Sequence, residues 1–328
     1  MNGTVKIMGG KRLIGEVKPI PNKNAIVAAL PLSLLNHGVT TYTSIPDTTD
    51  VAKILAIIKK LGGSVERRDF GEVKINCNAI KTHKIDEELG GSFRASLNFV
   101  GPLLARMGKA EVPQPGGCDL GMRSIEAHTN AFSKLGVKIS RRGNNIVFVA
   151  PSIKKKRRQI WQIEASVSAT ENIAGYVAGI NSDVEIIDAA SEPHVTDVIK
   201  FLNKMGAEIT GIGSNRLRIK GKERLQDAVF VPSPDFVDIV GYMIASAITD
   251  GEIIIKGGNV LDVMDGIINW MELFNIKIDR TGDDLIVKRG KRGLEISKIG
   301  FPLAAPNLPK FVPRPWPGFP VDCLPPIA

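Results

Sequence analysis

The sequence predicts an α/β protein of two domains, built from repeated β-α-β-α-β-β units. Three observations lead to this fold class: four segments of the 328-residue chain align with one another, each contains an amphipathic helix, and each helix precedes two short strands around a polar tip. The repeat is about seventy residues long, so the chain holds four copies. The aligned segments begin at Val51, Ile125, Val195 and Met264.

An apolar stripe marks the helix of the first copy, and the third and fourth copies repeat its spacing. The stripe consists of Val51, Ile54, Leu55 and Ile58. That spacing places apolar side chains on one face of a helix. A glycine follows the helix in three copies, at Gly62, Gly136 and Gly206, which predicts a left-handed residue that ends each helix.

Two β-rich runs follow each helix, and residues 69–72, 143–145, 213–215 and 282–284 form the tips between them. The glycine pair Gly211 and Gly213 belongs to one tip, so we expect a hairpin there and no phosphate loop. A further helix and strand precede each marked helix, as at 24–35 with 39–43 and at 236–249 with 252–256. Such a unit cannot cover both faces of its own sheet, so the copies should pack their helices inward. A fifth copy is expected to begin near Ser297.

The second copy departs from the pattern. It has His128 and Thr129 where the other copies have two apolar residues, and the glycine-rich stretch 115–123 precedes its helix. A repeat that gives up core residues at one helix start is expected to carry chemistry there.

Composition restricts the classes of function. The net charge of +9 predicts anionic partners, which could be phosphorylated metabolites, nucleic acid or a membrane surface. The basic run 154–158 has no interleaved aromatic residues, which favours a solvated loop over a nucleic-acid site. The three cysteines are widely spaced and form no Cys/His cluster, so we expect neither disulfides nor a metal site. The N-terminus lacks an apolar leader and no stretch is long enough to span a bilayer, so we expect a cytoplasmic protein.

Six motifs follow one another in the order found in the UDP-N-acetylglucosamine enolpyruvyl transferase family, which the chain resembles over its whole length. They are NKNA from Asn22, FRASLNFVGPLLAR from Phe93, PGGCDLGMRSIEAH from Pro115, SVSATEN from Ser166, SEPHVTD from Ser191 and RPWPGFPVD from Arg314. The resemblance implies two domains of three repeats each, with the active site in the cleft between them. It also implies transfer of the enolpyruvyl group of phosphoenolpyruvate to the 3-hydroxyl of UDP-N-acetylglucosamine with release of phosphate, which is the first committed step of peptidoglycan precursor synthesis.

The resemblance assigns roles to individual residues and implies no cofactor and no metal. Cys118 is the expected acid that protonates C3 of phosphoenolpyruvate, and Asp322 is the expected base at the sugar hydroxyl. Lys23 and Arg123 are the expected anion clamps for phosphoenolpyruvate. The residues expected to bind UDP-N-acetylglucosamine are Asn24, Arg94, Arg123, Ser124, Ile125, Glu126, Ser166, Val167 and Asp322.

The chain departs from the family at two of these places. Ser168 stands where the family has glycine, and Ser124 follows Arg123 where the family usually has proline. His128 is expected to be a polar residue at the helix start that supports the loop, and not a residue that transfers protons in the reaction. For Cys77 and Cys323 we expect burial as small apolar side chains.

The predicted domains are residues 24–233, with three complete repeats and the Cys118 loop, and residues 1–23 with 234–328. The second domain is expected to be incomplete, because the family continues for about one and a half further repeats. On this account we expect the second domain to be weakly ordered, to leave Ile267, Ile268 and Met271 partly uncovered, and the chain to be catalytically inactive.

Three other functions remain open at this point. The sister enolpyruvyl transferase that acts on shikimate 3-phosphate shares the repeat, but the cysteine loop and the SVSATEN segment weigh against it. A nucleic-acid-binding protein, or one similar to RNA 3-terminal phosphate cyclase, is suggested only by the basic charge. The third alternative is a non-catalytic remnant. For the enzyme itself, we expect small-molecule partners and neither nucleic acid nor membrane.

Overall fold

A computed structural model describes residue 4 and residues 6–116, 124–151, 157–291, 293–294 and 314–328. The chain divides into two compact units, which are Pro21–Ser233 and Met1–Ile20 with Pro234–Ala328. Each unit has its own cluster of buried apolar residues.

The strands of the described residues are β1 Ile14–Val17, β2 Val39–Tyr42, β3 Ser64–Arg67, β4 Val73–Asn76, β5 Lys109–Pro113, β6 Lys138–Arg142, β7 Asn145–Val149, β8 Arg157–Trp161, β9 Asp183–Ile187, β10 Glu208–Thr210, β11 Arg216–Lys220, β12 Ala228–Phe230, β13 Glu252–Ile255, β14 Ile276–Thr281 and β15 Asp284–Arg289. The α-helices are α1 Lys23–Ala29, α2 Thr49–Leu61, α3 Glu87–Gly91, α4 Val100–Met107, α5 Glu126–Lys134, α6 Val167–Ala178, α7 Pro193–Lys204, α8 Phe236–Ile248, α9 Met264–Leu273 and α10 Leu324–Ile327. Short 3-10 helices cover Leu30–Leu35, Asp69–Gly71, Arg94–Phe99 and Val321–Cys323.

The predicted repeat is visible in the sheets. In the unit Pro21–Ser233, β8 and β9 pair in parallel, and the hairpin of β10 and β11 completes a sheet in the order β10-β11-β9-β8. With α6 and α7 between the strands, residues 157–220 form one uninterrupted β-α-β-α-β-β unit. The tip at Gly211 and Gly213 joins two antiparallel strands, which confirms the predicted hairpin.

The other copies take their first strand from different parts of the chain. In the first copy, β12 pairs in parallel with β2, so the end of the unit supplies the strand that opens its sheet. In the second copy, that strand is reduced to a single parallel bridge between Lys84 and Glu111 beside the sheet β5-β7-β6. In the other unit, β1 pairs in parallel with β13.

The glycines at the ends of the repeat helices have the predicted conformation. Gly62, Gly136 and Gly206 have φ angles of 108°, 88° and 104°. A side chain would be strained at such angles, which is why glycine ends these helices.

Helices fill the centre of the unit Pro21–Ser233. The apolar stripe of α2 is buried, as are most side chains of α6 and the apolar face of α7. Tyr42, Phe201 and Phe230 contact one another by their rings, with centroids 5.1–5.9 Å apart. The inward packing of helices from three copies gives this unit one continuous core.

The unit of Met1–Ile20 with Pro234–Ala328 corrects one expectation. Ile267, Ile268 and Met271 are only 1%, 5% and 0% exposed, so the prediction that they stay uncovered was wrong. The C-terminal segment provides the cover: Phe319 and Cys323 belong to the same core, and the rings of Trp270 and Phe319 lie 6.1 Å apart.

A second correction concerns the basic run 154–158. Arg157 and Arg158 begin strand β8 and do not lie in a loop. The Arg158 Nη1 donates a hydrogen bond to the Leu135 carbonyl oxygen at 2.7 Å, so this arginine closes the end of α5. Residues 154–156 of the run, and the expected fifth copy near Ser297, lie outside the described residues.

Candidate active site

The start of helix α1 presents the first predicted ligand groups. Asn22 caps the helix, because its side-chain oxygen accepts a hydrogen bond from the Ala25 backbone N–H at 3.1 Å. Lys23 and Asn24 follow with exposed side chains, whereas the next residues of the helix are buried. The cap therefore fixes the backbone from which Lys23 and Asn24 reach solvent.

Helix α2 holds the ammonium group of Lys23. The Lys23 Nζ lies 3.0 Å from Asp50 Oδ2, and 46% of the lysine side chain remains exposed. An ion pair with this exposure contributes at most about 1 kcal/mol to stability, so it orients the lysine more than it stabilises the fold.

One turn further along α2, Lys53 reaches the segment that carries Arg94. Its Nζ donates a hydrogen bond to the Ser92 carbonyl oxygen at 3.3 Å and lies 5.4 Å from the centre of the Phe93 ring. Residues three apart on a helix lie on the same face, so Asp50 and Lys53 connect the Lys23 region to the Arg94 region.

Arg94 begins the 3-10 helix Arg94–Phe99. Its Nη2 donates a hydrogen bond to the Ser124 carbonyl oxygen at 2.7 Å. Gly116 packs against the segment that precedes Arg94, since a Cβ added to it would stand 2.2 Å from the Gly91 carbonyl oxygen. Both described ends of the Cys118 loop, at Gly116 and Ser124, therefore lie against residues 91–94.

Helix α5 begins at Glu126, two residues after Ser124. The Ser124 hydroxyl accepts a hydrogen bond from the Glu126 backbone N–H at 2.9 Å, and Ile125 is the N-terminal flanking residue. Ser124 therefore contacts both Arg94 and the start of α5.

His128, in the first turn of α5, joins that helix to α6. Its Nε2 lies 3.0 Å from the Ser168 Oγ, and its Nδ1 lies 3.1 Å from the Asn172 Nδ2. Burial, with a smaller contribution from the positive charge of Arg94, lowers the pKa of His128 to about 3. The imidazole is therefore uncharged at ordinary pH and holds its single proton on one of the two ring nitrogens.

Ser166 and Val167 lie at the start of α6, where both are half-buried. The Ser166 side chain makes no capping hydrogen bond, although its carbonyl oxygen accepts from the Thr170 backbone N–H at 2.9 Å. The Thr170 hydroxyl accepts from the Gln162 amide at 2.7 Å and from the Ala190 backbone N–H at 3.0 Å. These contacts fix the loop before α6, and Ser166 and Val167 remain half-buried there.

Asp322 belongs to the other unit, in the 3-10 helix Val321–Cys323. Its side chain is exposed, whereas the adjacent Cys323 is buried. Burial raises the pKa of the Cys323 thiol to about 12, and the negative charges of Asp322 and Asp235 act in the same direction.

Cys118 and Arg123 lie outside the described residues, so their roles stay predictions. The expectation for the other two cysteines is confirmed, since both are buried and free. Burial also raises the pKa of the Cys77 thiol to about 11. Neither thiol is a reactive nucleophile at neutral pH.

The described residues contain no group of three potential metal ligands. In the same part of the chain, none of the helices has the length and apolar character needed to cross a bilayer.

Comparison with known proteins connects this arrangement to one family. The profile of EPSP synthase (3-phosphoshikimate 1-carboxyvinyltransferase) matches residues 7–311. UDP-N-acetylglucosamine 1-carboxyvinyltransferase of Treponema denticola is 34% identical over 329 residues, which cover 96% of this chain and 72% of that protein. The protein with the same name from Treponema pallidum is 33% identical and covers 97% of this chain and 72% of its own length. The chain belongs to the enolpyruvyl transferase family.

Solved structures of enolpyruvyl transferases share the fold. The enolpyruvyl transferase NikO from Streptomyces tendae superposes with a TM-score of 0.73 at 17% identity, over 87% of this chain and 68% of that chain. EPSP synthase from Acinetobacter baumannii superposes with a TM-score of 0.66, also at 17% identity, over 86% of this chain and 66% of that chain. The fold class predicted from the repeats is confirmed.

Asp50 and Lys53 of this enolpyruvyl transferase are not among the residues predicted from its sequence. Both are polar positions on a helix whose opposite face carries the apolar stripe, so they resembled ordinary surface charges. A search for charged residues in the first two turns of the repeat helices would have found them, because Lys23, Asn24 and Arg94 also lie at helix starts.

Proposed function

We propose that the chain transfers the enolpyruvyl group of phosphoenolpyruvate to the 3-hydroxyl of UDP-N-acetylglucosamine and releases phosphate. The observation that carries the proposal is the identity of 34% to a UDP-N-acetylglucosamine 1-carboxyvinyltransferase over 96% of this chain. The contacts that join Lys23, Arg94 and Ser124 within one unit support it.

Both proposed substrates are anions, and the proposed ligand groups suit them. Lys23 is an exposed ammonium group held by one carboxylate, so it can pair with the phosphate or the carboxylate of phosphoenolpyruvate, with Arg123 as the second cation. Arg94 uses Nη2 to hold Ser124. We assign Arg94 to the nucleotide sugar, together with Asn24, Arg123, Ser124, Ile125, Glu126, Ser166, Val167 and Asp322.

The proposed chemistry is an addition followed by an elimination. In the addition, Asp322 accepts the proton of the sugar 3-hydroxyl, and the sugar 3-oxygen bonds to C2 of phosphoenolpyruvate. Cys118 donates a proton to C3 in the same step. The elimination then breaks the bond from C2 to the phosphate oxygen and removes a proton from C3, which leaves the enolpyruvyl ether and free phosphate. The cations stabilise the charge that moves through these steps.

This function would place the protein in the cytoplasm, at the start of peptidoglycan precursor synthesis, and thereby in the control of cell shape and division. It requires no cofactor, no nucleic-acid partner and no membrane partner.

The experiment that tests the proposal measures phosphate release from phosphoenolpyruvate with each candidate acceptor. We expect release with UDP-N-acetylglucosamine and none with shikimate 3-phosphate. The earlier expectation of an inactive chain rested in part on uncovered apolar side chains of α9, and those side chains are buried. The second acceptor is included because the matching profile is named for the enzyme that makes EPSP. Equal release with both acceptors, or release with shikimate 3-phosphate alone, would contradict the assignment.

A pair of lysine variants tests the site. Lys23→Ala should raise the KM for phosphoenolpyruvate at least tenfold, since a charge-assisted contact contributes about 1.5 to 3 kcal/mol. Lys60→Ala is the matched control, because Lys60 is also an exposed lysine of this unit paired with an aspartate, Asp86, at 2.6 Å. The control should leave the KM unchanged.

A further inference from the structure

Ser168 places a hydroxyl group in the first turn of α6, at a position where the sequence resemblance leads one to expect glycine. The side chain is half-buried, and its Oγ lies 3.0 Å from the His128 Nε2. It lies two residues after Ser166 and one after Val167, within the proposed nucleotide site. The direction of its proton therefore matters for binding.

The contacts of Asn172 settle which nitrogen of His128 carries the proton. The Asn172 Nδ2 donates to the Leu97 carbonyl oxygen at 2.8 Å and lies 3.1 Å from the His128 Nδ1, while its Oδ1 accepts from the Gly101 N–H at 2.6 Å. The amide nitrogen can only donate, so Nδ1 is the acceptor and carries no proton. In the neutral ring, Nε2 then carries the hydrogen and donates it to the Ser168 Oγ.

The Ser168 hydroxyl proton consequently points away from His128. Among the described residues, the structure gives this hydroxyl no other hydrogen-bond partner. Arg94 is close enough for its positive charge to lower the pKa of the imidazole. A cation and a directed hydroxyl donor thus act near the same ring, which suits an anionic oxygen acceptor.

We infer that Ser168 is a specificity residue of the proposed nucleotide site: its hydroxyl donates a hydrogen bond to the diphosphate of UDP-N-acetylglucosamine, and His128 is the positioning residue that directs it. The inference rests on the proposed function. The hydroxyl adds a side-chain contact where a glycine would offer backbone alone.

Calorimetric titration of the full chain with UDP tests the inference. Ser168→Ala and Ser168→Gly should each weaken UDP binding about tenfold, because a hydrogen bond to a charged acceptor is lost. Ser168→Thr keeps the hydroxyl and should bind UDP within about twofold of the unchanged chain. Affinity for uridine, which lacks the diphosphate, should be the same in all four proteins.

Two substitutions of His128 test whether it orients the Ser168 hydroxyl or only packs against it. The amide nitrogen of His128→Gln can take the place of Nε2 and should preserve UDP affinity. His128→Asn can accept from Asn172 but is too short to reach Ser168, so it should weaken UDP binding. In the Ser168→Ala background His128→Asn should have no further effect, because the histidine acts through the serine.

The outcomes distinguish this inference from the proposed function. If the unchanged chain releases phosphate and binds UDP, but Ser168→Ala binds UDP equally well, the inference alone is wrong. Equal loss of uridine and UDP affinity would contradict the diphosphate as acceptor. Additive losses in the double variant would show that His128 acts by packing and would overturn its positioning role. A chain that binds no UDP at all would refute both proposals.

Discussion

Replacing Asn172 by alanine should destabilise the unit Pro21–Ser233 more than almost any other single polar substitution. Asn172 is 2% exposed, and its amide joins three elements: it accepts from Gly101 at the start of α4, donates to Leu97 in the 3-10 helix before it, and donates to His128 in α5. Alanine would leave a buried N–H, a buried carbonyl oxygen and a buried ring nitrogen without partners.

The magnitude follows from those three groups. Each buried polar group left unsatisfied costs about 1 to 3 kcal/mol, and partial relaxation around the smaller side chain reduces the sum to about 3 to 5 kcal/mol. For a unit of this size, that loss lowers the Tm by roughly 10 °C. Urea unfolding followed by far-ultraviolet circular dichroism measures the change in the free energy of unfolding.

The matched control is Asn215→Ala, since Asn215 is an exposed asparagine at the hairpin tip of the same unit. It should change the free energy of unfolding by less than about 0.5 kcal/mol. A loss below about 1 kcal/mol for Asn172→Ala would refute the reasoning, because the three groups would then have found other partners.

Three further predictions test other parts of the chain. Gly101→Ala should destabilise the protein by about 2 kcal/mol or more, because its Cβ would stand 1.9 Å from the Asn172 carbonyl oxygen. Gly241→Ala should stabilise it by up to about 1 kcal/mol, because a Cβ there meets no atom within 4 Å. Urea unfolding of both variants measures the two changes. The pKa of His128 is lowered to about 3 in the folded state, so the unfolded chain binds the extra proton and stability falls as the pH drops below 6.5. Between pH 6.5 and pH 4.5, the free energy of unfolding of His128→Gln should therefore fall by about 2 to 3 kcal/mol less than that of the unchanged chain, as measured by unfolding titrations. Fosfomycin should label Cys118 alone, faster with UDP-N-acetylglucosamine present, and a peptide map with label on either buried thiol would contradict this.

The sequence predicted the repeat unit well because its signals are local. Apolar spacing defines α2, α7 and α9, and the glycines that end helices need only their own backbone angle. The pairing of β12 with β2 across the whole unit could not be read in this way. This pairing depends on which strand of the chain lies beside an open sheet edge, and the local sequence of a strand does not indicate its partner.

The sequence predicts the candidate site as a set of residues and not as a network of contacts. The motifs selected Lys23, Arg94 and Ser124, yet the contacts that join them run through Asp50 and Lys53. Those contacts depend on how α2 packs against its neighbours, which is a property of the core. The wrong expectation for α9 has a similar origin, since the sequence did not reveal that Phe319 and Cys323 would cover that helix.

The position of the candidate ligands follows from the way the repeats break their own pattern. Each copy turns a helix inward, and the described candidate ligands of this unit lie at or just before the starts of α1, α5 and α6 or at the start of a 3-10 helix. Apolar residues at all of these starts would extend the core and exclude polar ligands. The second copy instead has His128, whose contacts with Ser168 and Asn172 satisfy the buried ring and tie α5 to α6. A polar group can therefore replace apolar core residues at this point and still have its hydrogen-bond partners, and the half-buried hydroxyl of Ser168 is the part of that network that we assign to the ligand.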